Sequence, residues 1–328
     1  MRNRKDKKDK FEVSRETSRR KFLKSSAAVV GGAFAAKVGL SPAAFAAPGP
    51  LSASMPGPAP ARPGMKKALK YGMIRVEGSV LDKFKLIKEL GFDGVEPNSP
   101  SDLDRNEVLR ARDATGIEIP GVVDSVHWRQ TLGDPDPAVR EAGRKGLETA
   151  IRDCKFYGGT SVLLVPAVVK KDISYDDAYT RSQAEIRKVL PLAEELGIQI
   201  AFENVWNQFL LSPLEAARYV DEFENPLVGW HFDVGNIVNS GWPEHWIKIL
   251  NKRIFKLDIK EFSREKMNQE GLRTGFRIPL LEGDCDWPSV MKAVDHIGYS
   301  GWGAAEVRGG DRERLLDISQ RMDRIYAS

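Results

Sequence analysis

From residue 65 to residue 328 the chain alternates short apolar runs with amphipathic stretches eight times over. The runs fall near 69–74, 91–96, 117–123, 162–165, 198–203, 227–234, 253–258 and 303–306. Between them apolar residues recur at helical spacing, as in Val80, Phe84, Ile87 and Leu90. Asp136-Pro137 opens one such helix, with the acid as cap and the proline at the first helical position. Gly197 stops another that runs over 175–196. Residues 262–285 read as a long loop, and a helix follows over 286–297. Near-continuous apolar runs are the pattern of parallel strands covered on both faces. Eight strand–helix units in about 260 residues match a (β/α)8 TIM barrel. An open doubly wound sheet is the rival, but no G-x-G-x-x-G follows the first strand.

The strand ends carry the chemistry. The stretch Gly229-Trp230-His231-Phe232-Asp233-Val234-Gly235-Asn236 is a buried run that ends in a carboxylate and a glycine turn. Three other runs end in acids: Glu203, Asp258 and Glu306. In a barrel of this kind the active site lies at the C-terminal ends of the strands. Residues two apart share a face of a strand, so Ala201, His231, Lys256 and Ala304 should lie one layer beneath the four acids. Four carboxylates cannot share a dry barrel mouth uncompensated. A divalent cation held by Glu203, Asp233, Asp258 and Glu306 is the economical answer, with Lys256, Lys260 and Arg308 as partial substitutes. The plainer alternative is that each acid caps a helix or pairs with a surface lysine. Glu96, at the second strand end, precedes Pro97-Asn98 and serves a turn role equally well.

Residues 1–46 read as a twin-arginine export signal: Ser18-Arg19-Arg20-Lys21-Phe22-Leu23-Lys24, a small-residue apolar stretch, then Ala44-Phe45-Ala46 for cleavage. That stretch is too short and too rich in Gly, Ala and Ser for a stable membrane span. Residues 47–64 are a Pro/Ala-rich linker, and 65–328 are the barrel. A periplasmic or extracellular location follows as an expectation. The net charge of +4 leans on the basic N-terminal arm, and no basic stripe with interleaved aromatics marks a nucleic-acid surface. Cys154 and Cys285 lack metal-type spacing and are read as unpaired thiols.

With these residues in view, the chain resembles the xylose-isomerase-like barrel superfamily of sugar and sugar-phosphate isomerases, ketose 3-epimerases and endonuclease-IV-like proteins. The resemblance rests on Gly91-Phe92-Asp93-Gly94-Val95-Glu96, Val126-His127-Trp128, Ala201-Phe202-Glu203-Asn204-Val205-Trp206, Phe232-Asp233-Val234-Gly235-Asn236, Ile259-Lys260-Glu261 and Ala305-Glu306-Val307. It implies one divalent ion, Mn2+ or Mg2+, with Glu203, Asp233 and Glu306 at three of the family's ligand positions. The family's usual His-x-Lys-Asp is here Asp258-Ile259-Lys260-Glu261. Asp258 could ligate in place of the histidine, His231 could supply a nitrogen from below, or the site could hold metal weakly. Four histidines in the whole chain do not suit the His-rich three-metal endonuclease site. His245 and His296 are read as structural.

The implied chemistry is proton transfer beside a ketose carbonyl through an enediolate, with Glu203 and Glu306 as the catalytic pair on opposite sides of the carbon. His127, Lys260, Trp206, Arg308 and Glu96 are the candidate substrate-binding residues. For His127 a backbone-bonded loop role is an equal alternative. Trp128, Trp206 and Phe276 suit stacking on a sugar face or ordinary loop packing, and Arg273-Thr274-Gly275-Phe276-Arg277 suits a lid with two cations. The partner is a small carbohydrate, and a homo-oligomer is possible. Two rivals stand beside the isomerase/epimerase: a lyase eliminating the glycosidic oxygen of a 3-keto-glycoside at the same site, and a non-catalytic sugar-binding barrel.

Overall fold

A computed structural model describes residues 64–328; the expected signal and all of the linker but Gly64 lie outside the described residues. Nine strands lie parallel in the order β2-β1-β9-β8-β7-β6-β5-β4-β3. They are β1 (Met65–Lys70), β2 (Gly94–Glu96), β3 (Asn98–Ser99), β4 (Gly121–Asp124), β5 (Ser161–Leu164), β6 (Gln199–Glu203), β7 (Val228–Asp233), β8 (Ile254–Ile259) and β9 (Gly301–Ala305). β2 and β3 are two halves of one barrel strand, separated at Pro97, which has no N–H to give a ladder. The ring closes where Val95 N donates to Glu118 O at 2.9 Å, just ahead of β4. The result is the TIM barrel that the alternation predicts.

The first strand lies earlier than the apolar run at 69–74 suggests. Residues 65–70 pair with β9 and β2, and Tyr71–Met73 then turn over the barrel rim as a 3-10 helix. This shift places Lys70, rather than Ile74, at the strand end. The segment 262–285 is also more ordered than expected of a loop. Ser263 Oγ accepts from Lys266 N and caps a helix over Arg264–Glu270, and a 3-10 turn covers Leu272–Phe276.

The outer helices start and stop where their capping residues sit. Asp136 caps the helix Pro137–Tyr157, and Ser174 caps Tyr175–Leu196, which ends at Gly197 with φ of 65°. Their apolar stripes pack on the outer barrel surface, where Phe202, Trp230 and Phe232 are fully buried. That packed shell holds the strand ends in register. Glu203 pairs with His231, His231 with Lys256, Asp233 with Asp258, and Asp258 with Ala304. Cys154 and Cys285 are free thiols. Among the described residues no helix is long and apolar enough to cross a membrane.

Candidate active site

The strand register brings one oxygen each from Glu203, Asp233, Asp258 and Glu306 within 4.8 Å of one another. Glu203, Asp233 and Asp258 are buried, while the Glu306 side chain is 33% exposed to the cavity above. Lys260 Nζ lies among them, 2.9 Å from both Asp233 Oδ2 and Glu306 Oε1. Asn236 Nδ2 donates to Glu203 Oε1 at 3.3 Å, and Asn236 N donates to Asp233 Oδ1 at 2.9 Å. Asn204 locks the same corner: its Nδ2 donates to Asp233 O, and its Oδ1 accepts from Asp233 N and Trp230 Nε1. Gly235 allows the turn after β7, because a Cβ there would meet the Lys260 carbonyl group at 2.8 Å.

A second set of charges lies inward of these. Lys70 Nζ is 2.7 Å from Glu96 Oε2 and 2.8 Å from Asp258 Oδ1. Lys256 Nζ donates to Glu96 Oε1 at 2.9 Å. Gly121 makes room for that ammonium, since a Cβ would stand 2.3 Å from it. His231 Nε2 is 2.9 Å from Asp258 Oδ1, but the pair is not aligned as a hydrogen bond. Both Asp258 oxygens and both His231 nitrogens are buried without an aligned hydrogen-bond partner.

The protonation equilibria follow the charges. Burial drives Glu203 well above the usual carboxylate range, with repulsion from Glu306 and Asp233 adding to it. Burial likewise pushes Asp233 up to about 7 and raises Glu306, in each case against the pull of Lys260. In Glu96 the rise from burial is outweighed by Lys256 and Lys70, which hold it down at about 2. Asp258 is also lowered despite its burial, by His231 and Lys70.

The cavity above the acids has a volume of about 390 Å³ and is lined by Trp128, Trp206, Phe276, Lys260, Glu203 and Glu306 among others. Trp206 is fixed by its Nε1 donating to Asn236 O at 2.8 Å and by ring contacts to Phe262 and Phe276. Lys260 Nζ lies 5.2 Å from the Phe276 ring centroid. Arg273 reaches this wall, whereas Arg277 and Arg308 line a neighbouring depression. Glu96 sits in the inner charge layer and does not line the cavity. His127 is buried, and its Nδ1 accepts from Val165 N at 3.1 Å, which leaves the proton on Nε2. Burial lowers its pKa to about 3, with Lys70 adding, so it is neutral at any ordinary pH. His245 and His296 are exposed on outer helices.

Sequence reasoning gave no role to Lys70, Asn204 or Asn236. The two asparagines stand directly after Glu203 and three residues after Asp233, where a strand-end turn needs side-chain acceptors and donors. Lys70 falls inside the apolar run at 69–74, and only the strand bounds Met65–Lys70 put it at a strand end.

A family profile of xylose isomerase-like TIM barrels matches residues 84–326. The chain belongs to that family. Among relatives of this family, the L-ribulose-5-phosphate 3-epimerase UlaE of Escherichia coli O1:K1 is 28% identical over 239 residues, covering 67% of this chain and 79% of its own. The 3-keto-D-glucoside 4-epimerase YcjR of E. coli superposes with a TM-score of 0.68 at 17% identity, over 80% of this chain and 100% of its own. The IOLI protein, solved with a bound zinc atom, also gives 0.68, at 16% identity over 80% and 98%. At these identities the structural likeness is one of fold.

The donor set is compatible with a divalent ion. It consists of carboxylate oxygens, the chemistry of hard cations such as Mg2+ and Mn2+. The Asp258 oxygens, which lack an aligned hydrogen-bond donor although Lys70 Nζ lies 2.8 Å from Oδ1, are ones an ion would satisfy, and Lys260 bridges Asp233 and Glu306.

Proposed function

We propose that the protein is a divalent-metal-dependent isomerase or epimerase of a sugar, working by proton transfer beside a ketose carbonyl. The observation that carries this reading is the convergence of Glu203, at the end of β6, and Glu306, directly after β9, on one cavity, clustered with Asp233 and Asp258. The epimerase activities of the relatives named above support it.

A bound divalent cation would supply Lewis-acid stabilisation of negative charge developing on the substrate oxygens, with Glu203, Asp233 and Glu306 as its holders and Asp258 as the fourth candidate. The remaining chemistry belongs to side chains of this chain. One of Glu203 and Glu306 takes the proton from the carbon next to the carbonyl, and the electron pair moves onto the carbonyl oxygen to give an enediolate. The other returns a proton to the opposite face, so the two must begin in opposite protonation states. Their environments pull them apart in that sense: Glu203 is buried and driven well above the carboxylate range, whereas Glu306 is one-third exposed and in contact with Lys260. Lys260 also offers an ammonium to substrate oxygens, and Trp128 and Trp206 provide apolar walls for a sugar face.

The test is proton NMR in D2O with Mg2+, offering D-fructose and a 3-keto-glucoside to the full chain. Deuterium entering a carbon beside the carbonyl, lost in Glu203→Gln, is the expected result. Aglycone release from the 3-keto-glucoside would move the assignment to a lyase. Neither signal from metal-loaded protein would overturn the catalytic reading in favour of a binding barrel.

The same proposal places the enzyme beyond the inner membrane, on the pattern Ser18-Arg19-Arg20-Lys21-Phe22-Leu23-Lys24. Changing Arg19 and Arg20 together to lysine should leave the protein in the cytoplasmic fraction. An unchanged distribution would remove this part of the reading.

A further inference from the structure

Trp206 forms part of the wall of two cavities. On one side is the acid-floored cavity; on the other is a second of about 420 Å³, and the two share Val205, Trp206, Asn236 and Arg273. The second cavity differs sharply in chemistry. No Asp, Glu or Lys lines it, and Arg273 is its single charged residue. Phe209, Leu210, Leu211, Ile237, Trp246 and Leu272 supply its apolar wall.

The apolar surface continues outward. Six large apolar side chains are strongly exposed among the described residues, and five of them stand on segments that follow strand ends at the mouth of the barrel. Leu211 (68% exposed) and Leu272 (55%) line the second cavity itself. Leu214 (71%) and Trp242 (61%) lie within three residues of lining positions, and Trp128 (47%) lines the acid cavity. Only Leu316 lies elsewhere, on the last helix. Large apolar side chains exposed at one end of a barrel, two of them lining the cavity, are surface that a bound ligand would cover.

We propose that this second cavity seats an apolar aglycone, so that the substrate is a sugar carrying a bulky, uncharged apolar substituent rather than a free ketose. The inference rests on the sugar-enzyme reading for the neighbouring cavity. A free sugar finds polar partners at Glu203, Lys260 and Glu306 and offers nothing to Leu211 or Leu272. An aglycone attached to that sugar passes the fixed Trp206 ring and removes both leucines from water. The amide of Asn239 and the hydroxyl of Ser240, which also line this cavity, suit hydroxyl or ether oxygens on such a group.

The experiment compares binding of 4-nitrophenyl β-D-glucopyranoside and methyl β-D-glucopyranoside to the full chain by titration calorimetry. The aryl glucoside should bind at least about tenfold more tightly, and the double variant Leu211→Asp/Leu272→Asp should abolish that preference. Both leucines are exposed, so the variant retains the packed core. Equal affinities, no binding of the aryl glucoside, or a preference that survives the double variant would each overturn the aglycone site. Light scattering on the same samples covers the remaining occupant. A fall in oligomer size in the variant, with the aryl preference intact, would assign this face to contact between copies and overturn the proposal. Deuterium exchange into the 3-keto-glucoside is read separately, so a failed aglycone site and a failed sugar-enzyme reading leave different signatures.

Discussion

The inner layer of the barrel sets Glu96 and Asp258 against Lys70 and Lys256, whereas the outer layer sets Glu203, Asp233 and Glu306 against Lys260, with Lys70 reaching Glu306 only at 3.9 Å. Counting carboxylates and ammonium groups, the inner layer is balanced, two to two, and the outer layer carries a formal excess of two negative charges. Glu96, Asp258, Glu203 and Asp233 are all buried, while Glu306 opens to the cavity, so burial alone does not separate the layers. What differs is compensation. A buried pair with partners is structure, and breaking it leaves an uncompensated charge. A buried cluster short of two positive charges is a place that a divalent ion or a reacting proton can occupy.

Substitutions that remove one carboxylate from each layer should therefore behave oppositely. Glu203→Gln and Glu306→Gln are each expected to lower carbon–deuterium exchange by about 10²–10⁴-fold, with no loss of thermal stability. Glu96→Gln leaves Lys256 and Lys70 without their shared partner, and a cost of about 3–5 kcal/mol is expected in urea denaturation. A stable Glu96→Gln protein with abolished exchange would merge the two layers into one catalytic cluster.

Asp258 lies at the boundary and sharpens the contrast further. It is within 4.8 Å of the outer carboxylates, yet its close contacts are Lys70 and His231. Asp233→Asn should weaken Mn2+ binding by at least about tenfold in calorimetry, because it removes an oxygen aimed into the cluster. Asp258→Asn should change that affinity less and lower stability more, since it takes one of its two close carboxylates from Lys70. The reverse ranking would make Asp258 the functional replacement for the histidine that the family usually has at this strand.

How much of this was legible in the chain itself follows from the same physics. Acids at the ends of apolar strands contradict their surroundings, so Glu203, Asp233, Asp258 and Glu306 stand out from the sequence alone, and the eightfold alternation says that strand ends meet. Partner choice is different. Lys70 reaches Asp258 across 188 residues of chain, and Lys256 reaches Glu96 across 160, through register and stagger that no local pattern encodes. The division into a balanced and an unbalanced layer thus appears only once the barrel closes. Arg308 and Glu96 show the same limit: both lie near the right strand ends, but one faces a side depression and the other points down into the ion-pair layer.

Asp124, at the end of β4, isolates what burial does when no cation answers it. It is as buried as Glu96, and its Oδ1 accepts only the Val126 N–H at 3.1 Å. Burial pushes it up to about 7, while Glu96 is held at about 2. Between its ordinary 3.8 and that raised value the folded protein keeps a proton that the unfolded chain has released. Stability therefore falls as pH rises from about 4 to about 7, and is flat above that range. Asp124→Asn keeps an oxygen for Val126 N–H and carries no titrating proton. The variant should match the wild type near pH 4 and exceed it at pH 8 by on the order of 2–4 kcal/mol, read as a Tm difference that opens with pH. Parallel Tm–pH curves for the two proteins would mean that water or a moving cation reaches Asp124, and would withdraw the claim that cation placement, rather than depth, separates the two layers.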